Sequence, residues 1–243
     1  MKACAQEGAT VYIGARNMER AQAEADEMTA AGLAVKCVYN DASLGSYQSM
    51  IDTVVAAEGR IDGLVNNFGG TNPAEDKDLL STSYEHFLAG VDANVGSVFL
   101  GCQAAAREMV KTGGGSIVNI SSIAGSVPDI SQIAYGTSKA AINHMTKSMA
   151  VQLAKSNIRV NAVAPGMTAT DAVADNLSEE FKQFFLRHIP LGRMADPAHI
   201  AAAVVYFLGD ESAVTTGQLI EVAGGFGLAT PIYADAMDAA VAR

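Results

Sequence analysis

Residues 116–139 read SIVNISSIAGSVPDISQIAYGTSK. Ser116 to Ile120 is a short apolar run, of the kind that forms a strand buried on both faces, and a long helical stretch from Tyr135 to Lys155 follows it. The same alternation extends outward in both directions. Strands are expected at Thr10–Gly14, Ala34–Tyr39, Gly63–Asn66, Arg159–Val163 and Leu219–Val222, and helices at Met18–Ala30, Leu44–Glu58, Ser83–Lys111, Ser178–Arg187 and Pro197–Leu208. Asp41 and Ser43 are candidate caps for the helix at Leu44, and Asp196 before Pro197 marks the start of the last one. Short strands alternating with helices imply βαβ units built on a parallel sheet.

With 243 residues, 49% hydrophobic and 17% charged, the chain can bury a sizeable core, which excludes disordered and collagen-like classes. A net charge of -10 disfavours nucleic acid and anionic lipid as partners and points to a small-molecule ligand. Cys4, Cys37 and Cys102 are far apart and form no C-x-x-C pair, while His86, His144, His188 and His199 have no ligand-like spacing. No metal site is therefore expected, and a reducing compartment is. There is no apolar run of about 18 residues and no signal-peptide pattern, so a cytoplasmic location is expected.

The chemistry-bearing pattern is Tyr135-Gly136-Thr137-Ser138-Lys139. On a helix, positions i and i+4 are neighbours, so the phenol and the ammonium share a face. A cation beside a phenol favours the phenolate, so Lys139 is expected to lower the Tyr135 pKa toward the neutral range and make it a general acid/base. Ser122 ends the strand 13 residues before Tyr135. At the carboxyl end of a parallel strand its hydroxyl can bond a substrate oxygen.

With these residues in place, the chain resembles the short-chain dehydrogenase/reductase family over nearly its whole length. Ser122, Tyr135 and Lys139 match that family's catalytic serine, tyrosine and lysine, and Asn94 matches its active-site asparagine. Asn66-Asn67-Phe68-Gly69 resembles Asn-Asn-Ala-Gly, with Phe68 in place of alanine. Pro165-Gly166-Met167-Thr168-Ala169-Thr170 resembles the Pro-Gly-x-x-x-Thr segment that holds the nicotinamide. The resemblance implies one domain spanning 1–243 with a Rossmann-like doubly wound parallel sheet and helices on both faces, assembled as a homotetramer. It also implies a mechanism. Ser122 and Tyr135 hold the substrate oxygen and Tyr135 takes its proton. Lys139 binds the nicotinamide ribose, and Asn94 acts through a water that links Lys139 to solvent.

Cofactor choice is read after the strand at Thr10, where NAD enzymes usually carry an acid. Here Ala15 and Arg16 stand there, and an arginine can clamp a 2′-phosphate, so NADP(H) is expected in preference to NAD(H). The resemblance assigns Asp41 and Asn67 to the adenine side of the crevice, and Gly69, Pro165, Gly166, Thr168 and Thr170 to cofactor contact. The chain opens on Lys2 to Glu7, which reads as the last turns of a helix ended by Gly8. Neither a strand nor a glycine-rich turn precedes it, so the first strand is expected to be missing and the domain truncated at its N-terminus.

The segment 171–189 is expected to form a substrate lid, with an apolar stripe at Phe181, Phe184, Phe185 and Leu186 beside a second strip at Phe226 to Tyr233. Both favour a large hydrophobic substrate. Within the family, NNFGGTN, SVPDISQIAYGTSK and EVAGGFGLATPIY look most like bacterial hydroxysteroid dehydrogenases that act on bile acids, the 7α-specific type first. A 12α- or 3-hydroxysteroid dehydrogenase, a 3-oxoacyl carrier-protein reductase and a catalytically silent scaffold are the alternatives.

Overall fold

The computed structural model describes residues 1–170, 173, 177–230 and 232–241. The apolar runs form parallel strands β1 Val11–Ala15, β2 Val35–Tyr39, β3 Gly63–Asn66, β4 Gly115–Ile120, β5 Ile158–Pro165 and β6 Leu219–Val222. The helices are α1 Lys2–Gln6, α2 Met18–Ala30, α3 Ser46–Glu58, α4 Tyr84–Val91, α5 Ser97–Thr112, α6 Ile133–Leu153, α7 Glu179–Leu186, α8 Pro197–Leu208 and α9 Tyr233–Val241. Among the described residues, no helix is long and apolar enough to cross a membrane.

Local chemistry sets several ends. The Asn17 side chain accepts the Arg20 amide at 3.0 Å to start α2. Asp196 accepts the Ala198 amide at 2.8 Å, and its own amide donates to His199 Nδ1 at 2.9 Å, with Pro197 supplying the fixed φ of the first helical position of α8. The start of α3 differs from expectation. It begins at Ser46 after Gly45 with no side-chain cap, and Asp41 instead accepts the Ser43 amide at 2.9 Å in the preceding loop. A short carboxylate bonds amides two or three residues ahead, so with the helix starting five residues on, Asp41 folds the loop instead. The single helix expected over Ser83–Lys111 is α4, a π-helical turn at Asp92–Gly96, and α5.

The parallel arrangement is present in two pieces. Strands β3-β4-β5-β6 form one sheet and β1-β2 another, and no ladder joins β1 to β3 among the described residues. The two are held through helices on both faces. On one face Cys4 of α1 packs against the cluster beneath α8, while its neighbour Ala5 packs with Ala25 and Val35 over the small sheet. On the other, α3 places Tyr47 and Ile51 in the cluster that α5 and α6 build over β3 and β4. Successive residues of β4 serve the two faces in turn: Ile117 enters the α5–α6 cluster and Val118 the α8 cluster.

Burial on both faces, expected for every strand, holds for β4 and β5. In β3 it alternates, and Val65 is 36% exposed, because Leu64 faces the α5 cluster while Val65 joins no buried cluster on the opposite face. Beneath the carboxyl ends, Asn66 donates to Asn119 Oδ1 at 2.9 Å and Asn119 donates to the Thr146 hydroxyl at 2.9 Å, a buried chain joining β3, β4 and α6. At the other end of the sheet, the Arg159 guanidinium donates to the Phe207 carbonyl at 2.7 Å and the Gly209 carbonyl at 3.1 Å, satisfying carbonyls at the end of α8.

The two-piece sheet has a measurable signature. The Val11 amide donates to Ala34 and the Asn40 amide to Ala15, so by alternation the Tyr12 and Gly14 amides point away from β2. The Ser116 amide donates to Asp62, so the Gly63 and Val65 amides point away from β4. In hydrogen exchange these four amides are expected to exchange fast, and those of Ile117, Val118 and Asn119 slowly. Equal protection in both sets would show that the two edges are paired.

Candidate active site

Strand β4 ends at Ile120, and the chain then packs tightly against α6. The Ser121 hydroxyl donates to the Lys139 carbonyl at 3.2 Å and to Asn143 Oδ1 at 2.5 Å. The Ile123–Gly125 turn approaches so closely that a Cβ at Gly125 would stand 2.6 Å from the Lys139 backbone, which only glycine avoids. Ser122 accepts the Ala124 amide at 3.2 Å, so its hydroxyl is held at the mouth of this turn. Lys139 is 4% exposed and donates to the Ile120 carbonyl at 3.0 Å, with its ammonium 5.4 Å from the Tyr135 ring centre.

A cavity of about 210 Å³ lies over these groups, lined by Asn67, Phe68, Gly69, Ser122, Tyr135, Lys139, Pro165 and Gly166 among others. Seven residues singled out from the sequence therefore share one space: Asn67, Gly69, Ser122, Tyr135, Lys139, Pro165 and Gly166. Lys139 has three N–H donors and spends one on Ile120, leaving donors on a group that lines the cavity. That unspent capacity fits the paired hydroxyls of a nicotinamide ribose.

The expected lowering of the Tyr135 pKa is not what the geometry gives. Burial raises the phenol, and the neighbouring Ser122 hydroxyl pulls it only partly back. Lys139 is itself lowered to about 8 by burial. Its ammonium points to the Ile120 carbonyl, so desolvation outweighs the attraction that helical spacing alone promises.

Asn94 sits in the π-helical turn, 1% exposed, and adjoins the cavity through the loop after β3. Its side chain accepts the Gly70 amide at 3.1 Å and donates to the Gly70 and Gly90 carbonyls, both at 2.9 Å. Gly69 has φ +124, and a Cβ there would collide with the Asn94 side-chain oxygen. A second cavity of about 540 Å³ shares Asn67, Phe68, Gly69 and Tyr135 with the first and continues past Asn94, His86, Glu75 and Asp76.

One contributor has no signal in the sequence. The first four amides of α6 need acceptors, and Gln132, before the helix, supplies no side-chain bond. Asp76, 8% exposed, does so instead: Oδ1 accepts the Ala134 amide at 2.9 Å and Oδ2 the Tyr135 amide at 3.0 Å. The Ile133 amide goes to the Lys77 carbonyl and that of Gly136 to Gln132. In sequence Asp76 belongs to the polar run Glu75-Asp76-Lys77-Asp78, which reads as a solvated loop, because its partners lie 58 and 59 residues away.

The remaining sequence candidates stand outside both cavities. Arg16 and Asp41 follow the paired ends of β1 and β2, where the Asn40 amide donates to Ala15 at 3.0 Å. Arg16 is exposed and takes part in none of the ion pairs among the described residues. Asp41 is held at about 2 by the Ser43 hydroxyl and amide. The Thr168 hydroxyl donates to the Gly166 carbonyl at 3.0 Å, while Thr170 is exposed and accepts the Val173 amide at 3.3 Å. Of the expected lid, 171, 172 and 174–176 lie outside the described residues, as does Pro231 of the apolar strip. In α7, Phe185 stacks on Phe226 with ring centres 4.8 Å apart, whereas Phe181 and Phe184 are 46% and 57% exposed. Arg187 ties α7 to α9 through Asp238 at 2.6 Å and Asp235 at 3.3 Å.

Lys139 makes stability depend on pH in a definite sense. Its folded pKa is about 8, below its ordinary 10.5, so the native state binds fewer protons than the unfolded chain between those values and gains stability as pH rises through them. Tyr135, raised above 10, opposes this only at still higher pH. From about pH 7.5 to 9.5 the wild type is expected to gain about 1–2 kcal/mol relative to Lys139→Met in urea unfolding. Parallel pH curves for the two proteins would show that Lys139 titrates normally.

Known proteins resemble this chain over most of its length. A family model described as enoyl-(acyl carrier protein) reductase matches residues 1–227. The chain is 48% identical to a 7α-hydroxysteroid dehydrogenase of Clostridium sardiniense over 235 residues, covering 96% of this chain and 90% of that one. It is 39% identical to the 3-oxoacyl-[acyl-carrier-protein] reductase FabG of Thermotoga maritima, covering 91% and 89%. A solved 7α-hydroxysteroid dehydrogenase complexed with NADH and 7-oxo glycochenodeoxycholic acid superposes with a TM-score of 0.86 at 34% identity, over 91% of this chain and 86% of that one. A parallel α/β frame, a tyrosine and lysine on one helix face against a serine at a strand end, and relatives of this closeness place the chain in the short-chain dehydrogenase/reductase family, as an NAD(P)-dependent oxidoreductase acting on CH–OH groups.

Proposed function

We propose that this enzyme interconverts the 7α-hydroxyl of a bile acid and the corresponding ketone, with NADP(H) as the preferred cofactor. The observation that carries the substrate is the 48% identity to a 7α-hydroxysteroid dehydrogenase along 96% of the chain. The exposed rings of Phe181 and Phe184 support it, since a rigid hydrocarbon needs apolar walls and loses little conformational entropy on binding.

In this reading Ser122 and Tyr135 hold the substrate oxygen. In the oxidative direction Tyr135, as phenolate, accepts the hydroxyl proton, and in reduction the phenol returns it. Because burial raises the phenol, the protein alone favours the proton-donating form, and oxidation is expected to gain as pH rises. Lys139, Asn67, Gly69, Pro165 and Gly166 would hold the nicotinamide end of the cofactor, which when bound supplies the hydride acceptor or donor. Asn94 fixes the loop carrying Gly69 and Gly70, and Thr168 and Thr170 extend the segment after Gly166.

Product analysis on cholate tests the substrate. The 7-ketone is expected from the wild type, and none from Tyr135→Phe, which keeps the ring but has no proton to exchange. A 12- or 3-ketone alone would move the reacting carbon and keep the class. Reduction of a 3-oxoacyl thioester with cholate untouched would overturn the steroid reading in favour of the activity named for the Thermotoga relative.

The preference for NADP(H) rests on Arg16, exposed and without an ion-pair partner among the described residues at the end of β1. A solved relative is complexed with NADH, so the proposed preference is a specific claim about Arg16. Hydrogen bonds between a guanidinium and a phosphate are worth about 1.5–3 kcal/mol each, so Arg16→Ala is expected to lower the NADP(H)/NAD(H) ratio of kcat/KM by about 10–100-fold. An unmutated enzyme that prefers NAD(H) would refute the assignment.

A further inference from the structure

We propose that Asp76 is the positioning residue of Tyr135, holding the first turn of α6 so that the phenol stands over the cavity. The inference rests on the reading of Tyr135 as the proton-transfer group and concerns what fixes it in place. Asp76 reaches α6 from the loop after β3, and its two oxygens take the amides of Ala134 and of Tyr135 itself. A third donor, the Thr71 hydroxyl, bonds Oδ2 at 2.9 Å. A buried carboxylate is costly unless its lone pairs are used, and here both oxygens are engaged.

Two features separate this from ordinary helix capping. The residue in the capping position, Gln132, has φ +59 and ψ +48, a left-handed conformation unfavourable for a side chain with a Cβ, and it makes no capping bond. The backbone there is bent so that the amides meet a carboxylate from another element. The loop that supplies the carboxylate is also the one that Asn94 holds: Thr71 follows Gly70, which exchanges two bonds with Asn94. The position of the Tyr135 backbone is thereby set by the same loop that lines the cavity with Asn67 and Gly69.

The test compares Asp76→Asn, Asp76→Ala and Thr71→Val for kcat, KM, cofactor dissociation constant by nicotinamide fluorescence, and amide exchange. Asparagine retains one acceptor oxygen of the two. It is expected to lower kcat about 10-fold and alanine about 100-fold, as for a reacting group displaced by about 1 Å, while KM and cofactor affinity change less than about twofold. Exchange should quicken at Ala134 and Tyr135 with the rest of α6 still protected. Thr71→Val should give the same pattern in weaker form, and it decides the matter with Asp76→Asn should the alanine variant fail to fold. A kcat within about twofold of wild type in Asp76→Asn, or joint loss of kcat, cofactor affinity and protection along all of α6, would overturn the proposal. Any secondary alcohol that the wild type oxidises serves for the assay, so rejection of bile acids would overturn the substrate reading and leave this one standing.

Discussion

The Lys139 ammonium, almost wholly out of water, donates to the carbonyl of the last residue of β4. A cation can stay there only if its charge is met or its pKa falls, and both happen: one carbonyl accepts it, and burial lowers it to about 8. Much of the site follows from that placement. Bringing Lys139 to Ile120 requires α6 to cross the end of β4 at contact distance, which in turn requires a glycine at 125 and goes with the Ser121 contacts to the Lys139 carbonyl and the Asn143 side chain. Tyr135, one turn earlier on the same face, then stands beside Ser122 because the helix leaves it nowhere else to go.

The opposite wall is built by a different device. The loop after β3 is folded by short turns of its own, such as the Asp76 amide donating to the Asn72 carbonyl at 2.8 Å, and buried side chains tie it to the rest: Asn94 from the π-helical turn and Asp76 folded back onto α6. A π turn carries one extra residue within a helix, and such turns recur at functional sites because they re-aim a side chain without ending the helix. Here it directs Asn94 toward both carbonyls, of Gly70 and Gly90. Loop and helix thus form one hydrogen-bonded unit around the cavity that holds its geometry before a ligand arrives, with Lys139 donors left over for the ligand.

The adenine side is organised more loosely. Arg16 and Asp41 sit at the ends of a two-stranded sheet that, among the described residues, is joined to the larger one through α1 and α3 and not through a backbone ladder. Side-chain packing between helices fixes a strand less directly than a shared row of hydrogen bonds does, so the chemistry of the large sheet and the recognition residues of the small one rest on unequal foundations.

The sequence by itself determined the periodic features. The alternation of apolar strands and helices, the cap at Asp196, and the i, i+4 spacing of Tyr135 and Lys139 all depend on neighbours a few residues away, and the chain carries that information locally. The meeting of Ser122 with Tyr135 and Lys139 was legible because parallel strands gather their carboxyl ends on one side, whereas Asn67 and Gly166 were placed with them by the family resemblance alone. Three things were decided only in three dimensions. Whether Lys139 lowers the Tyr135 pKa depends on desolvation and on where the ammonium points, and neither is a property of spacing. Whether Asp41 caps a helix depends on where the helix begins, and α3 begins at Ser46, five residues on, with no side-chain cap bond. Asp76, an ordinary loop acid in the sequence, acquires its role by meeting amides 58 and 59 residues away. A contact of that separation exists only once strands β3 and β4 have paired and carried both segments to the same edge.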